Sequence, residues 1–212
     1  MNSQLVIFDF DGVIANAFDQ VWTIFKDFFA RHQFTKVSTK TAFRNLFFSN
    51  FYTATELLGF DICHTPALQQ EVQELLHDQY DPPIFEGMKD VIACLAERYC
   101  LAIESSNYHN PIMRFLKKQG LEKAFTLVVG ADKEISKTKR LRVCVENVNP
   151  SRVLFVTDTV GDIREAKAAG IPVIGVAWGY QSYPQLKKEQ PHAVVRSPAQ
   201  LVQEINRYFK KL

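Results

Sequence analysis

The sequence lacks the features of membrane, disulfide-stapled and strongly charged proteins. It has no run of about 18 apolar residues, so no membrane-spanning helix is expected. Met1 leads almost directly into Leu5-Val6-Ile7-Phe8, without the basic stretch and long apolar core of a secretory leader, so the reading is a soluble, unexported, cytoplasmic protein. Cysteine is scarce: Cys63, Cys94, Cys100 and Cys144 show no C-x-x-C spacing, which argues against a disulfide framework or zinc site and for buried free thiols. Neither sign of charge dominates. With 25 basic and 23 acidic residues and a net charge of +2, nothing favours nucleic acid or an anionic membrane as partner. There is no internal repeat and no low-complexity tract.

Hydrophobic residues are plentiful, at 47% of 212, enough for the core of one large domain or a core with a modest insertion. There are 17 phenylalanines, many of them between residues 18 and 60. The chain is organised around Leu5-Val6-Ile7-Phe8-Asp9-Phe10-Asp11-Gly12-Val13. Its apolar run reads as a strand buried on both faces, and the acids fall where that strand ends. In an open α/β sheet this edge is where ligands bind. Two carboxylates there repel each other and lose hydration, and a hard divalent cation is the simplest compensation. An acidic turn explains the stretch equally well when it is taken alone.

After Val13 the period changes. Residues 16–32 carry Phe18, Val21, Trp22, Phe25, Phe28 and Phe29 at helical spacing. A second helix is expected over Thr39–Leu58, and a third from Thr65 and Pro66 to just before Pro82-Pro83. No strand is needed between Asn16 and Tyr80. From Pro83 onward strands alternate with helices: strands at Cys100–Glu104, Thr126–Val129, Val153–Val156, Pro172–Ala177 and Ala193–Val195. The helices follow Gly87, Asn110-Pro111, Thr138, Asp162 and Ser197-Pro198. The expected fold is therefore α/β: a Rossmann-like parallel-sheet core of residues 1–13 and 84–212 with an inserted α-helical cap of residues 14–83.

Three polar signals follow later strands: Ser105-Ser106-Asn107, then Lys137 with Lys139 as an alternate, then Asp158 with Asp162. A parallel sheet lines up its strand ends, so Asp9, Asp11, Ser105, Lys137 and Asp158 are able to converge. Each has an ordinary alternative. Ser105 to Asn107 fits a loop, Lys137 to Arg140 a solvated helix start, and Asp158 or Asp162 a helix N-cap.

Asp9-Phe10-Asp11-Gly12-Val13 resembles the first motif, D-x-D-G-[TV], of the haloacid dehalogenase-like hydrolases. Ser105 is similar to the Ser/Thr of their second motif, Lys137 to the Lys of the third, and Asp158 with Asp162 to the paired acids of the fourth. Within the family, Val156 to Asp162, Ala168 to Gly170 and Gly175 to Tyr180 look most like the phosphoglycolate phosphatase-like branch. Thr157 stands where Gly usually precedes the acid, Thr138 where Pro commonly follows the Lys, and Glu104 is an unexpected charge at a strand end.

The resemblance implies a phosphatase acting on a small-molecule phosphate monoester. Asp9 would be the nucleophile that forms an aspartyl-phosphate, and Asp11 the general acid and base. Mg²⁺ would be held by Asp9, the backbone carbonyl of Asp11 and Asp158, with Asp162 orienting its waters or a neighbouring group. Ser105, with Ser106 beside it, and Lys137 would bind phosphate. Members that displace halide lack an acid at the position of Asp11, so phosphoryl transfer is favoured over dehalogenation. Lys40, Arg44 and Asn45 are cap residues able to reach a substrate, and Trp178-Gly179-Tyr180 is placed at the entrance. The Phe-rich faces are read as cap core. A phosphomutase on the same scaffold, or a non-catalytic module retaining the fold, are the competing readings. The protein is expected as a monomer or homodimer.

Overall fold

A computed structural model describes residues 4–132 and 136–210. Six strands form one parallel sheet: β1 (Gln4–Phe8), β2 (Cys100–Glu104), β3 (Leu127–Val129), β4 (Arg152–Thr157), β5 (Val173–Val176) and β6 (Ala193–Val195). Their order is β3-β2-β1-β4-β5-β6. The chain winds one way from β1 to β3, then returns to the middle to start β4. The point of reversal therefore lies between β1 and β4, where open α/β sheets bind ligands. Asp9 continues β1, its N–H donating to Val156 O at 2.8 Å.

The apolar run of β1 has no alternation because both faces are covered. Val6 and Phe8 pack with Leu154 and Val156, while Leu5 and Ile7 pack with Phe155 on the opposite side. Helices α7 (Lys137–Val148), α8 (Val160–Ala168) and α9 (Tyr183–Lys188) supply Leu141, Cys144, Ile163 and Leu186 to that second face. Helices α5 (Met88–Ala96), α6 (His109–Gln119) and α10 (Pro198–Lys210) cover the first.

Between β1 and α5 the chain forms α1 (Phe18–Arg31), α2 (Lys40–Leu46), α3 (Phe51–Leu57) and α4 (Pro66–Gln79) and no strand. Two connections join this helical block to the sheet, and they pair with each other. Asn16 N–H donates to Pro83 O at 2.8 Å and Phe85 N–H to Ile14 O at 3.0 Å. The block has an aromatic interior: Phe25 meets Phe51 at 4.8 Å and Phe34 stacks on Phe60 at 4.7 Å. Each fully buried ring of the block, such as Phe28 or Phe43, is worth about 1.5–3 kcal/mol of transfer free energy, so the Phe-rich faces serve first as packing.

The sequence expectations shift in four places. The helix expected over Thr39–Leu58 is two helices, α2 and α3. Asn50 is extended between them and its Oδ1 accepts from Tyr52 N–H at 3.1 Å; an Asn that caps a new helix competes with continuing the old one. Helix α6 starts at His109, so Asn110 and Pro111 lie in its first turn, where a missing N–H costs nothing. Helix α8 starts at Val160 and is capped by the Thr159 hydroxyl, which accepts from Asp162 N–H at 3.2 Å. Helix α9 was not expected. It is short, and its start is marked by Pro184 in the first turn and by Ser182, whose N–H donates to Gln185 Oε1 at 2.8 Å. Among the described residues no helix is long and apolar enough to cross a membrane. All four cysteines are free, Cys144 buried and the others half-buried.

Candidate active site

The two acids of the first loop sit differently. Asp9 is buried; its Oδ1 accepts from Phe10 N–H at 2.7 Å and its Oδ2 lies 3.3 Å from Lys137 Nζ. Burial drives its carboxyl well above the usual range, with Lys137 opposing. Asp11 is turned toward the helical block. The Tyr80 hydroxyl, at the end of α4, donates to its Oδ1, and Asn107 Nδ2 donates to its Oδ2 at 3.2 Å. Burial raises the Asp11 carboxyl to about 6, against the lowering effect of those two hydrogen bonds. A carboxyl at that value is suited to both giving and taking a proton near neutrality. Gly12 follows at φ +84°, and a Cβ there would lie 2.0 Å from Asp158 Oδ2. Only glycine lets the loop approach so closely.

Asp158, at the end of β4, is fully buried. Its Oδ2 accepts from Tyr180 N–H at 2.6 Å, and its Oδ1 has no hydrogen-bond partner. Burial pushes its carboxyl up to about 8. Lys137, the first residue of α7, is the buried member of the lysine pair, whereas Lys139 is exposed. Lys137 Nζ lies 2.9 Å from Asp162 Oδ2, 3.2 Å from Glu104 Oε2 and 3.3 Å from Asp9 Oδ2. Those charges raise its pKa despite burial. Asp162 Oδ2 also accepts from the Thr157 hydroxyl at 2.7 Å. Although burial opposes ionisation, Lys137 and these hydrogen bonds hold the Asp162 carboxyl below its ordinary value. Ser105 is buried and its hydroxyl accepts from Asn107 N–H at 3.1 Å; Ser106 Oγ accepts from Arg140 at 3.0 Å.

Four contributors were given no role by the sequence. Tyr80 and Asn107 hold Asp11, Thr157 holds Asp162, and Arg140 neutralises Glu104 through a 2.6 Å hydrogen bond with both side chains fully buried. The odd charge of Glu104 and the unusual Thr157 were the available clues. Lys40 instead pairs with Asp19 at 2.6 Å, and exposed Arg44 lies over the Phe18 ring at 4.3 Å; neither lines the site, nor does Asn45. Tyr180 does line it, wedged between Phe18 and Phe47 with ring centroids at 4.9 and 4.8 Å. Trp178 points elsewhere, donating to Val13 O at 3.2 Å.

The residues fit a hard cation. Asp158 Oδ1 is a buried acceptor without a donor, and both Asp158 and Asp9 are disfavoured as bare anions. No three of these carboxylates have oxygens all within 4.8 Å of one another; among the described residues that closeness occurs at Glu56, Asp61 and His64, of which Asp61 is half-buried and the others exposed. A set of two carboxylates, a backbone carbonyl and water suits Mg²⁺, which keeps several waters.

A cavity of about 70 Å³ lies between these groups and the helical block, with Phe25, Phe51, Leu76 and Tyr52 on the far side. The layered α/β core with a helical block over the end of its first strand is Rossmann-like, and the function has to be read from the site rather than from that fold. Residues 6–176 match the family described as haloacid dehalogenase-like hydrolase. Over 212 residues, covering 98% of this chain and all of the relative, the sequence is 27% identical to a phosphoglycolate phosphatase of Synechococcus elongatus. It is 25% identical to the pyrophosphatase PpaX of Listeria monocytogenes over 93% of this chain and 94% of that one. The solved structure of a predicted phosphatase from Clostridium acetobutylicum superposes with a TM-score of 0.84 at 19% identity, covering 98% of this chain and 100% of that one. The chain belongs to the haloacid dehalogenase-like hydrolases, and is an enzyme of their phosphatase branch.

Proposed function

We propose that the protein is a Mg²⁺-dependent phosphatase that hydrolyses a small-molecule phosphate monoester through an aspartyl-phosphate, with residues 1–13 and 84–212 as the catalytic core and 14–83 as its cap. The observation that carries this reading is the second acid: Asp11, oriented by Tyr80 and Asn107, faces the same cavity as Asp9. An alkoxide leaving group needs a proton, and Asp11 is the group placed to give it.

Asp9 attacks phosphorus as the bond to the leaving oxygen breaks, and Asp11 protonates that oxygen. A water then attacks the phosphorus of the aspartyl-phosphate and gives its proton to Asp11, and the bond to Asp9 breaks to free phosphate. Lys137 and the Ser105 hydroxyl offset the charge on the equatorial oxygens, with Ser106 shaping the same loop. Asp9, Asp158 and the Asp11 carbonyl would hold Mg²⁺, which lends positive charge to the phosphoryl group. Asp162, itself held by the Thr157 hydroxyl, acts through Lys137, which it fixes. The helical block excludes water while Asp9 reacts. The cytoplasmic setting read from the sequence is part of this proposal.

The test is release of phosphate from p-nitrophenyl phosphate. Asp9→Asn is expected to lose at least about 10²–10³-fold in kcat, and EDTA to silence the native enzyme until Mg²⁺ is restored. Undiminished turnover in Asp9→Asn would remove this mechanism.

A further inference from the structure

Among the described residues, the cavity wall opposite Asp9, Ser105 and Lys137 carries no charge. Val21, Phe25, Phe51 and Leu76 supply an apolar surface, and Ser49, Asn50 and Tyr52 add neutral polar groups. Among the described residues Lys137 is the one cation lining the cavity, and three carboxylates already surround it. The paired cations of the helical block point away: Arg31 to Glu71, Lys40 to Asp19, and Arg44 over Phe18. Among the described residues around the site, Asp9, Asp11, Glu104, Asp158 and Asp162 share two nearby cations, Lys137 and Arg140. One divalent cation leaves that balance without a positive excess. A phosphate ester brings its own negative charge, and a second anionic group on the leaving side would be desolvated against phenylalanine and leucine with no cation beside it and only the neutral groups of Ser49, Asn50 and Tyr52 within the wall. The cavity is also small, about 70 Å³ against the roughly 300–1,000 Å³ of sites for drug-sized ligands.

We infer that the preferred substrate is a short phosphate monoester of an uncharged, largely apolar alcohol, and that the cap wall discriminates against leaving groups bearing a carboxylate or second phosphate. This rests on the phosphatase reading above. It also sets this chain apart from the phosphoglycolate phosphatase and pyrophosphatase it is similar to, whose named substrates both carry a second anionic group.

The experiment compares isobutyl phosphate with phosphoglycolate, which match in shape and differ by the charge of a carboxylate. With the Mg²⁺-loaded protein, phosphate release is followed for both, with p-nitrophenyl phosphate as a control. Calorimetry measures binding of the non-hydrolysable pair isobutylphosphonate and phosphonoacetate. The expected result is a kcat/KM at least tenfold higher for isobutyl phosphate, expressed mainly in KM, and a matching tenfold preference for isobutylphosphonate. Equal or better use of phosphoglycolate, or equal or tighter binding of phosphonoacetate, overturns the inference and leaves the phosphatase reading standing. No phosphate release from any ester together with no binding of either phosphonate overturns the phosphatase reading and the inference with it.

Discussion

The buried pair Glu104–Arg140 offers a quantitative test of how the site is held. Both side chains are fully buried, Arg140 Nε meets Glu104 Oε1 at 2.6 Å, and Lys137 lies 3.2 Å from the other oxygen. Arg140→Met keeps the volume and removes the guanidinium, leaving Glu104 with Lys137 as its neighbouring cation and Ser106 without its donor. Breaking one side of a buried pair costs about 3–5 kcal/mol. An unfolding entropy of about 2.1 cal/mol/K per residue gives about 0.45 kcal/mol per degree for 212 residues. The expected drop in Tm is therefore about 7–11 °C. Glu104→Gln in the Arg140→Met background removes the stranded charge. Since exchanging a whole buried pair for neutral groups is often close to neutral, the double variant should recover more than half of the loss. Scanning calorimetry of the four proteins in the cycle gives the coupling energy directly. If Arg140→Met melts within about 2 °C of the native protein, or the double variant loses the sum of the single losses, the pair does not neutralise Glu104 in the way the geometry implies.

Mg²⁺ at a hundred times its Kd should stabilise the protein by about 2.7 kcal/mol, or about 6 °C in Tm by the same entropy. Asp158→Asn should lose that shift; a shift retained in full places the cation elsewhere. Tyr80→Phe removes one hydrogen bond to the Asp11 carboxylate, worth about 1.5–3 kcal/mol when the acceptor is charged. A fall in kcat of about tenfold to a hundredfold with little change in KM is expected, and an unchanged kcat would show that Tyr80 does not orient Asp11. Gly161 N–H donates to Phe47 O across the seam between α8 and the helical block, and a Cβ on Gly161 would lie 2.5 Å from Ser49 O. Gly161→Ala should force that seam apart, speed hydrogen exchange at residue 161 and raise KM; unaltered exchange would mean the seam carries no strain.

The core was legible because its signals are local. An apolar run buried on both faces has to be an inner strand, as β1 is, and strands separated by helices have to be parallel, as all six are. The span of Cys100–Glu104 was read to the residue for the same reason. The break at Ser49-Asn50 was missed because the aromatic spacing runs straight through it and only the capping preference of Asn50 speaks against one helix.

The site divides along the same line. The residue types and their positions at strand ends marked Asp9, Asp11, Ser105, Lys137, Asp158 and Asp162 from the sequence, because a parallel sheet gathers its strand ends on one edge. The sequence left Lys137 against Lys139, and Asp162 as N-cap against site residue, undecided. The choice depends on which way a side chain faces, and that is set by the register of α7 and α8 against the sheet. Only the tertiary structure put Lys137 inside and Lys139 outside, and gave the capping role to Thr159. Asn107 stood in a flagged polar stretch and Thr157 as a departure from the family motif, but the roles of Tyr80, Asn107, Thr157 and Arg140 were not legible, for a related reason: each matters through a hydrogen bond to a residue distant in sequence or in the neighbouring turn, and such partners exist only once the chain has folded.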